Sequence, residues 1–274
     1  MTAEETKIND QSPDRAILVG AYVRGVETVL SLDESLEELE MLAETAGMVV
    51  VGHATQNLNS IEPSTYIGSG KVKEIIEIME ELETKIVIFD DELSPRHQRE
   101  LSKLFGEDVN VLDRSALILD IFALRARTHE GKLQVELAQL QHQSTRLIRG
   151  WTHLERQQGG IGSRGAGESQ LETDRRLVAA RMTLIHKRLA KVRSQREQGR
   201  RARNRSAIPT IALVGYTNAG KSTLFNALTN AKVYAADQLF ATLDPTLRRL
   251  NVMDVGEVVL ADTVGFIRHL PHKL

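Results

Sequence analysis

The chain has 274 residues, 35 Lys and Arg against 37 Asp and Glu, and no cysteine. That length suits about two domains, and the missing thiols exclude disulfide scaffolds and thiolate metal centres and suit a reducing cytoplasm. The polar, acidic N-terminus is not a secretory signal, and no apolar run reaches the roughly 20 residues of a membrane-spanning helix.

Residues 1–14 are polar, with Pro13 near their end, and read as a disordered leader. From Ala16 onward strands and helices alternate. Ala16 to Val23 reads as a strand, and Ser31-Leu32-Asp33-Glu34 fits a capping box ahead of Leu32, Leu36, Leu39 and Leu42 at helical spacing. Gly47 closes that helix, and Met48 to Val51 begins a second strand. A loop over 56–68, a helix from Ser69 to Glu83 and a strand from Lys85 to Asp90 follow. Ser94-Pro95 starts a helix that runs to Phe105, since proline is favourable at the first helical position. Val109 to Asp113 reads as a strand and Ala116 to Ala126 as a helix. Strands separated by helices imply a parallel sheet covered on both faces, so 15–128 reads as an N-terminal α/β domain. Gly68-Ser69-Gly70-Lys71 has the ending of a phosphate loop without the upstream glycine and strand; it reads as a helix cap, although a polar loop opening such a domain can touch RNA.

Beyond Gly131 the period changes. Leu133, Leu137, Leu140, Ser144, Leu147, Trp151 and Leu154 form a heptad seam, which resumes at Leu171, Val178, Met182, Ile185, Leu189 and Val192. Between the two runs lies a glycine-rich stretch, so 129–206 reads as an antiparallel coiled-coil hairpin with a tip at 158–168. Its second arm, about 168–204, can reach roughly 55 Å. That arm is arginine-rich and carries few acidic residues. Arg164 at the tip and Arg193, Arg196, Arg200 and Arg201 on the arm are the candidate RNA contacts, positioned to meet phosphates rather than to read bases.

The densest chemistry lies in 207–274. Gly215-Tyr216-Thr217-Asn218-Ala219-Gly220-Lys221-Ser222 satisfies the phosphate-loop pattern G-x-x-x-x-G-K-[ST], with the apolar strand Thr210 to Val214 before it and a helix after it. Its amides and the helix N-terminus suit phosphate oxygens, Lys221 can reach the β- and γ-phosphates, and the Ser222 hydroxyl can ligate Mg²⁺. About twenty residues on comes Phe240-Ala241-Thr242-Leu243-Asp244, where Thr242 can close over a γ-phosphate and complete the metal shell. Leu247 to Val252 and Glu257 to Ala261 read as an antiparallel pair around Asp254-Val255-Gly256. Asp262-Thr263-Val264-Gly265 follows, with Asp262 placed to hold Mg²⁺ through water and Gly265 to offer an N–H to the γ-phosphate. Loss of that phosphate would release both segments, which makes them switches. Lys221, Thr242 and Gly265 are the candidate catalytic groups.

Phe-Ala-Thr-Leu-Asp-Pro-Thr at 240–246, Asp-Thr-Val-Gly-Phe at 262–266 and, above all, Gly-Gly-Ile-Gly-Ser-Arg-Gly-Ala-Gly-Glu-Ser-Gln-Leu-Glu-Thr-Asp-Arg-Arg at 159–176 resemble the HflX GTPases of the Obg–HflX group. The resemblance covers nearly the whole chain: an α/β domain, a helical hairpin, then the first half of a Ras-like GTPase domain. It implies a cytoplasmic GTPase that uses GTP and Mg²⁺ and binds the large ribosomal subunit and its rRNA. The hairpin tip would be directed towards the peptidyl-transferase region, in splitting or rescue of stalled ribosomes under stress. It implies no DNA partner and a monomer, and it leaves peripheral membrane association open. Phe266 stands where many Ras-like proteins carry a water-orienting glutamine, which predicts slow intrinsic hydrolysis. The sequence stops at Leu274, before the family's guanine-reading N-K-x-D motif, so it reads as a fragment or truncated product with weakened nucleotide affinity and an exposed half-sheet. Two other readings compete: a non-catalytic RNA- or ribosome-binding fragment, and a phosphate-loop ATPase or kinase. The spacing from Thr242 to Asp262–Gly265 argues against the last. No Cys/His metal cluster stands out, and His53, His129, His142, His153 and His186 read as ordinary surface or core residues.

Overall fold

A computed structural model describes residues 13–26, 29–146, 170–205, 208–230 and 238–271. The first unit is built from β1 (Arg15–Val23), α1 (Leu32–Thr45), β2 (Val49–Leu58), α2 (Ser69–Glu81), β3 (Ile86–Phe89), α3 (Pro95–Phe105), β4 (Asn110–Asp113) and α4 (Arg114–Arg125). All four strands are parallel, in the order β2-β1-β3-β4. Alternate side chains of β1 and β3 point to opposite faces. Ala16, Leu18 and Ile88 meet α1 and α4 on one side, while Ile17, Val19, Val87 and Phe89 meet α2 and α3 on the other. The parallel sheet covered on both faces is therefore as the alternation implies.

The helix starts follow local chemistry. Ser31 and Glu34 form the reciprocal capping box, Glu34 accepting from the Ser31 amide at 2.8 Å and the Ser31 hydroxyl from the Glu34 amide at 3.2 Å. Ser94 caps α3 ahead of Pro95, and Gly68 is the N-cap of α2, so Gly68–Lys71 is a helix start. Two boundaries depart from the sequence reading. Strand β2 continues to Leu58 where a loop was expected from 56, because Gln56, Asn57 and Leu58 keep pairing with Ala21, Tyr22 and Val23; ladder hydrogen bonds outweigh the poor strand propensity of the polar pair. Helix α4 starts at Arg114 rather than Ala116, since Asp113 caps it by accepting from the Ala116 amide at 2.8 Å.

Arg114 itself, the residue after β4, is fully buried beside Asp90 at the C-terminal end of β3, next to the point between β1 and β3 where the strand order reverses. Its guanidinium donates to Asp90 Oδ1 at 2.5 Å, to the Ser35 carbonyl at 2.8 Å and to Glu38.

Helices α5 (His129–Ser144) and α6 (Gln170–Arg205) pack through Leu133, Ile185 and Leu189, with Leu137 and Leu140 alongside. Glu130 pairs with Arg196 at 2.7 Å and Glu136 with Arg181 at 2.5 Å, so rising numbers on one helix meet falling numbers on the other and the pair is antiparallel. On α6 the seam positions Val178, Met182, Ile185, Leu189 and Val192 are the covered ones amid exposed neighbours. Leu147, Trp151, Leu154, the tip at 158–168 and Arg164 lie outside the described residues. The far end of α5 is moored to the first unit: Arg146, just past the helix, donates to Asp113 at 2.9 Å and to the Leu93 carbonyl at 2.8 Å.

The third unit holds β5 (Thr210–Leu213), α7 (Lys221–Thr229), β6 (Thr246–Val252) and β7 (Gly256–Asp262), with strands ordered β5-β7-β6. Strand β7 runs parallel to β5 and antiparallel to β6, and the turn between β6 and β7 carries Asp254 and Gly256 in the left-handed region. On this unit Ile211, Val214, Leu224 and Leu228 are exposed. Its loops are not free: Leu239, Phe240 and Ile267 are buried in the same apolar cluster as α1 and α4, with Leu243, Val264 and Leu270 against it. No helix among the described residues is long and apolar enough to cross a membrane.

Replacing Arg114 with alanine leaves the buried Asp90 carboxylate with only the Ser35 hydroxyl and the more distant Arg268, 3.4 Å away. The expected cost is about 3–5 kcal/mol in urea denaturation followed by circular dichroism. A loss below ~1 kcal/mol, within the range of exposed pairs, would show that the network contributes little.

Candidate nucleotide site

Strand β5 leads into a loop whose path is set by two left-handed residues, Asn218 (φ 56°) and Gly220 (φ 79°). Asparagine tolerates that region and glycine pays no Cβ penalty there. Helix α7 then begins at Lys221 with Gly220 as an N-cap that offers no side-chain bond. Its first amides are therefore left for a ligand, at the positive end of the helix. Lys221 folds back across the loop and its Nζ donates to the Tyr216 carbonyl at 2.5 Å. Burial pulls the Lys221 pKa down, against the opposing pull of the Asp262 carboxylate.

Asp262, the last residue of β7, is fully buried. Its Oδ2 accepts from Ser222 Oγ at 2.7 Å and from Thr242 Oγ1 at 3.0 Å, and the two hydroxyls are 2.8 Å apart. Its Oδ1 is buried with no partner. A carboxylate oxygen left bare costs free energy unless something polar or cationic meets it. Two hydroxyls and one carboxylate are hard oxygen donors of the kind Mg²⁺ takes when phosphate oxygens and waters complete its shell. The residues present thus fit that ion. Among the described residues no group of three or more His, Cys, Asp or Glu could hold a metal by itself.

The segment after Asp262 is pinned to the loop. Thr263 Oγ1 donates to the Leu213 carbonyl at 2.6 Å. The Thr217 amide donates to the Phe266 carbonyl at 2.8 Å, and the Phe266 amide to the Gly215 carbonyl at 2.9 Å. A Cβ on Gly265 would stand 2.6 Å from Thr217 Cα and 2.7 Å from Thr217 N, so only glycine lets the two strips of backbone meet.

Of the residues singled out from the sequence, Thr217, Asn218, Ala219, Gly220, Lys221, Ser222, Phe240, Ala241, Thr242, Thr263 and Gly265 line one pocket, with Asp262 behind Ser222 and Thr242. Gly215 and Tyr216 act through their backbone, and the Tyr216 ring is exposed. Leu243 and Val264 turn away into the apolar cluster, and Asp244 hydrogen-bonds to the start of α5. Arg193 is exposed on α6, Arg196 is paired with Glu130, and nothing is described of the Arg200 and Arg201 side chains.

Two residues of the site escape a sequence reading. Gln238 lines the pocket and its Oε1 accepts from Arg125 at 2.6 Å. Arg268 reaches the first unit, donating to Ser35 Oγ at 2.7 Å and to Asp91 Oδ1 at 2.8 Å. The only signal for the second is an arginine shortly after one motif and an Asp-Asp pair at the end of a distant strand.

Three family models match: "GTP-binding GTPase N-terminal" over 33–123, "GTP-binding GTPase Middle Region" over 125–203 and "50S ribosome-binding GTPase" over 210–273. The GTPase HflX of Escherichia coli is 58% identical over 261 residues, covering 95% of this chain and 60% of the relative. The GTPase HflX of Magnetococcus marinus is 51% identical over 267 residues, covering 96% and 61%. The chain thus spans about three fifths of the length of these curated relatives. A solved GTP-binding protein, SsGBP in complex with GDP, superposes with a TM-score of 0.55 at 26% identity over 95% of this chain and 65% of that one. A second, a GTP-binding protein from Sulfolobus solfataricus in complex with GDP, gives 0.50 at 25% identity, covering 95% and 63%.

Gly265→Ala is expected to break the two backbone bonds of Phe266, its carbonyl to the Thr217 amide and its amide to the Gly215 carbonyl. Amide exchange at Thr217 and Phe266 should rise by about tenfold or more, the equivalent of ~1.4 kcal/mol of local opening. Unchanged protection at both amides would show that the close approach is not needed.

Proposed function

As this chain belongs to the HflX GTPase family, we propose that its pocket takes a guanine nucleoside triphosphate with Mg²⁺ and supports hydrolysis to the diphosphate and phosphate. The observation that carries this reading is the convergence of Ser222, Thr242 and Asp262 beside the 215–222 loop. The GDP held by two solved structural relatives supports the guanine nucleotide.

The residues have separable roles. Lys221 exchanges the Tyr216 carbonyl for β- and γ-phosphate oxygens, a stronger partner for an ammonium. The amides at the head of α7 would hold the phosphates, and Ser222, Thr242 and Asp262 are the residues that would hold the metal. Mg²⁺, when bound, neutralises charge developing on the β- and γ-oxygens. Gly265 brings its amide to the γ-phosphate. Phe266 offers no polar atom to orient water and is half exposed, so hydrolysis by the free protein is slow and a partner supplies the missing arrangement.

That partner is the large ribosomal subunit, in the setting of splitting or rescuing stalled ribosomes, within the cytoplasm and with the protein as a monomer. The description of the matching 210–273 region supports a ribosomal partner. The arginine-rich outer face of α6, Arg193 included, supports contact with rRNA phosphates. On this reading 15–128 is the N-terminal α/β domain, 129–206 the hairpin with its tip at 158–168, and 207–274 the nucleotide-binding unit.

Single-turnover hydrolysis of GTP and of ATP, with and without large ribosomal subunits, tests the proposal. GTP should be preferred, subunits should accelerate turnover, and Lys221→Ala should lower the rate by at least about a hundredfold, the scale of losing one charge-stabilising group. A Lys221→Ala rate equal to wild type would overturn it. The arginine face has its own test: charge reversal at Arg193, Arg200 and Arg201, sparing the paired Arg196. Subunit binding should weaken and its logarithmic salt slope should flatten by about one for every phosphate no longer neutralised. An unchanged slope would mean a merely solvated face.

A further inference from the structure

Three consecutive residues, Thr242, Leu243 and Asp244, go to three different parts of the molecule. Thr242 hydrogen-bonds to Ser222 and Asp262, Leu243 packs on the apolar cluster of the first unit, and Asp244 meets the root of the hairpin. One oxygen of Asp244 accepts from the amides of Arg127 at 2.8 Å and Thr128 at 2.9 Å, and the other from the Thr128 hydroxyl at 2.5 Å. Thr128 is the N-cap of α5, and the same hydroxyl accepts from the Gly131 amide at 3.0 Å. A hydroxyl has one proton and free lone pairs, so this one relays Asp244 into the first turn of the helix. Burial would raise the Asp244 carboxyl, but the Thr128 hydroxyl and the two amides outweigh it and hold the group below the usual aspartate range. It therefore stands as an anion at the positive end of α5, the favourable place for one.

The fit leaves no room for a larger neighbour. A Cβ on Gly131 would run into Asp244 Oδ1 and stand 3.0 Å from Thr128 Oγ1. The second arm of the hairpin closes the same corner, because Arg196 pairs with Glu130 beside the cap and its charge also favours the Asp244 anion.

We propose that Asp244 is a positioning residue: by bonding the cap of α5 it holds Thr242 on Ser222 and Asp262, so the root of the hairpin forms part of the triphosphate site. This rests on the nucleotide role proposed for Thr242. Two residues of backbone span at most about 7 Å, so with Asp244 on Thr128 and Leu243 packed on the apolar cluster Thr242 is held close to the metal-binding corner. The coupling runs both ways with equal magnitude. A ligand that needs Thr242, one bearing a γ-phosphate, stabilises the first turn of α5, and a displaced α5 root weakens that ligand. A diphosphate has no γ-phosphate for Thr242 to close over and is not discriminated in this way.

Gly131→Ala tests this without touching the pocket. Alanine favours a helix over glycine by about 1 kcal/mol, so α5 persists while the added methyl pushes Asp244 off its cap. Affinity for a non-hydrolysable GTP analogue with Mg²⁺ should fall about tenfold, within the usual range of coupling energies, and GDP affinity should stay within about twofold. Equal changes for both nucleotides, or none, overturn the proposal. A second arm needs no nucleotide and so separates this inference from the functional reading beneath it. In the free full-length chain, Thr242→Val should speed amide exchange at Thr128 and Gly131 by about threefold or more. Unchanged exchange there overturns the coupling whatever the pocket binds; if exchange rises while no nucleotide binds to wild type, the coupling stands and the nucleotide reading fails.

Discussion

A single buried carboxylate, Asp262, ties together three segments of the pocket. Asp262 is removed from water, which is expensive for an anion, and it is compensated by two hydroxyls from two other segments. The compensation is possible only because of sheet order. Strand β7 lies between β5 and β6, and its register with β5 sets Asp262 beside Leu213. The loop that leaves β5 is thereby bound to turn across the end of β7. Ser222, in the first turn of the helix that follows, then falls within reach of the carboxylate. The bare Oδ1 is what remains once both hydroxyls are used, a buried anionic oxygen with no partner of its own.

Thr242 would not be reliably in place if its segment were an ordinary surface loop. Phe240 is buried with its ring edge-on to Phe122 at 4.7 Å, and Leu239 and Ile267 are buried in the same cluster. Each such side chain contributes roughly 1.5–3 kcal/mol of apolar burial, enough to offset the ordering of several loop residues. Phe240 holds a positive φ of 54°, which a bulky residue adopts only when its surroundings insist. Beyond Gly265 the Arg268 guanidinium enters the crevice of the first unit that already holds Arg114, at Ser35 and Asp91. Two cations thus share Glu38, Asp90 and Asp91. The pocket and the α/β unit are accordingly one packed body at this corner, and the pocket borrows its rigidity from a sheet to which it is not covalently adjacent.

What could be read from the sequence follows the range of the forces involved. The 215–222 loop, the capping box at Ser31 and Glu34, and the α6 seam are contiguous patterns, and each appears where its spacing places it. The alternation that announced a parallel sheet is likewise a local signal repeated. Strand β2 is longer than its composition suggests because its last residues answer to β1, not to their own propensity. Arg268 and Asp91 are 177 residues apart, and Thr128 and Asp244 are 116 apart. Nothing in either neighbourhood announces the other. Asp244 illustrates the consequence: it stands inside the motif that carries Thr242, whereas its oxygens meet the Arg127 and Thr128 amides and the Thr128 hydroxyl of another unit.

The hairpin is held at both ends of α5 by acids of unlike environment. At the far end Asp113 is almost fully buried, and Arg146 reaches it through a largely covered side chain. Breaking that pair leaves an anion in a low-dielectric interior, at a cost of about 3–5 kcal/mol. At the near end Thr128 is exposed and Asp244 is half-buried, so water can replace any bond that opens there and the loss is of the order of one helix cap, about 1 kcal/mol. The softer mooring is therefore the one beside the pocket. An energy the size of a single phosphate contact is comparable to the near mooring and well short of the far one, so what the pocket can disturb is the root of the hairpin, while the hold on the α/β unit at Asp113 persists.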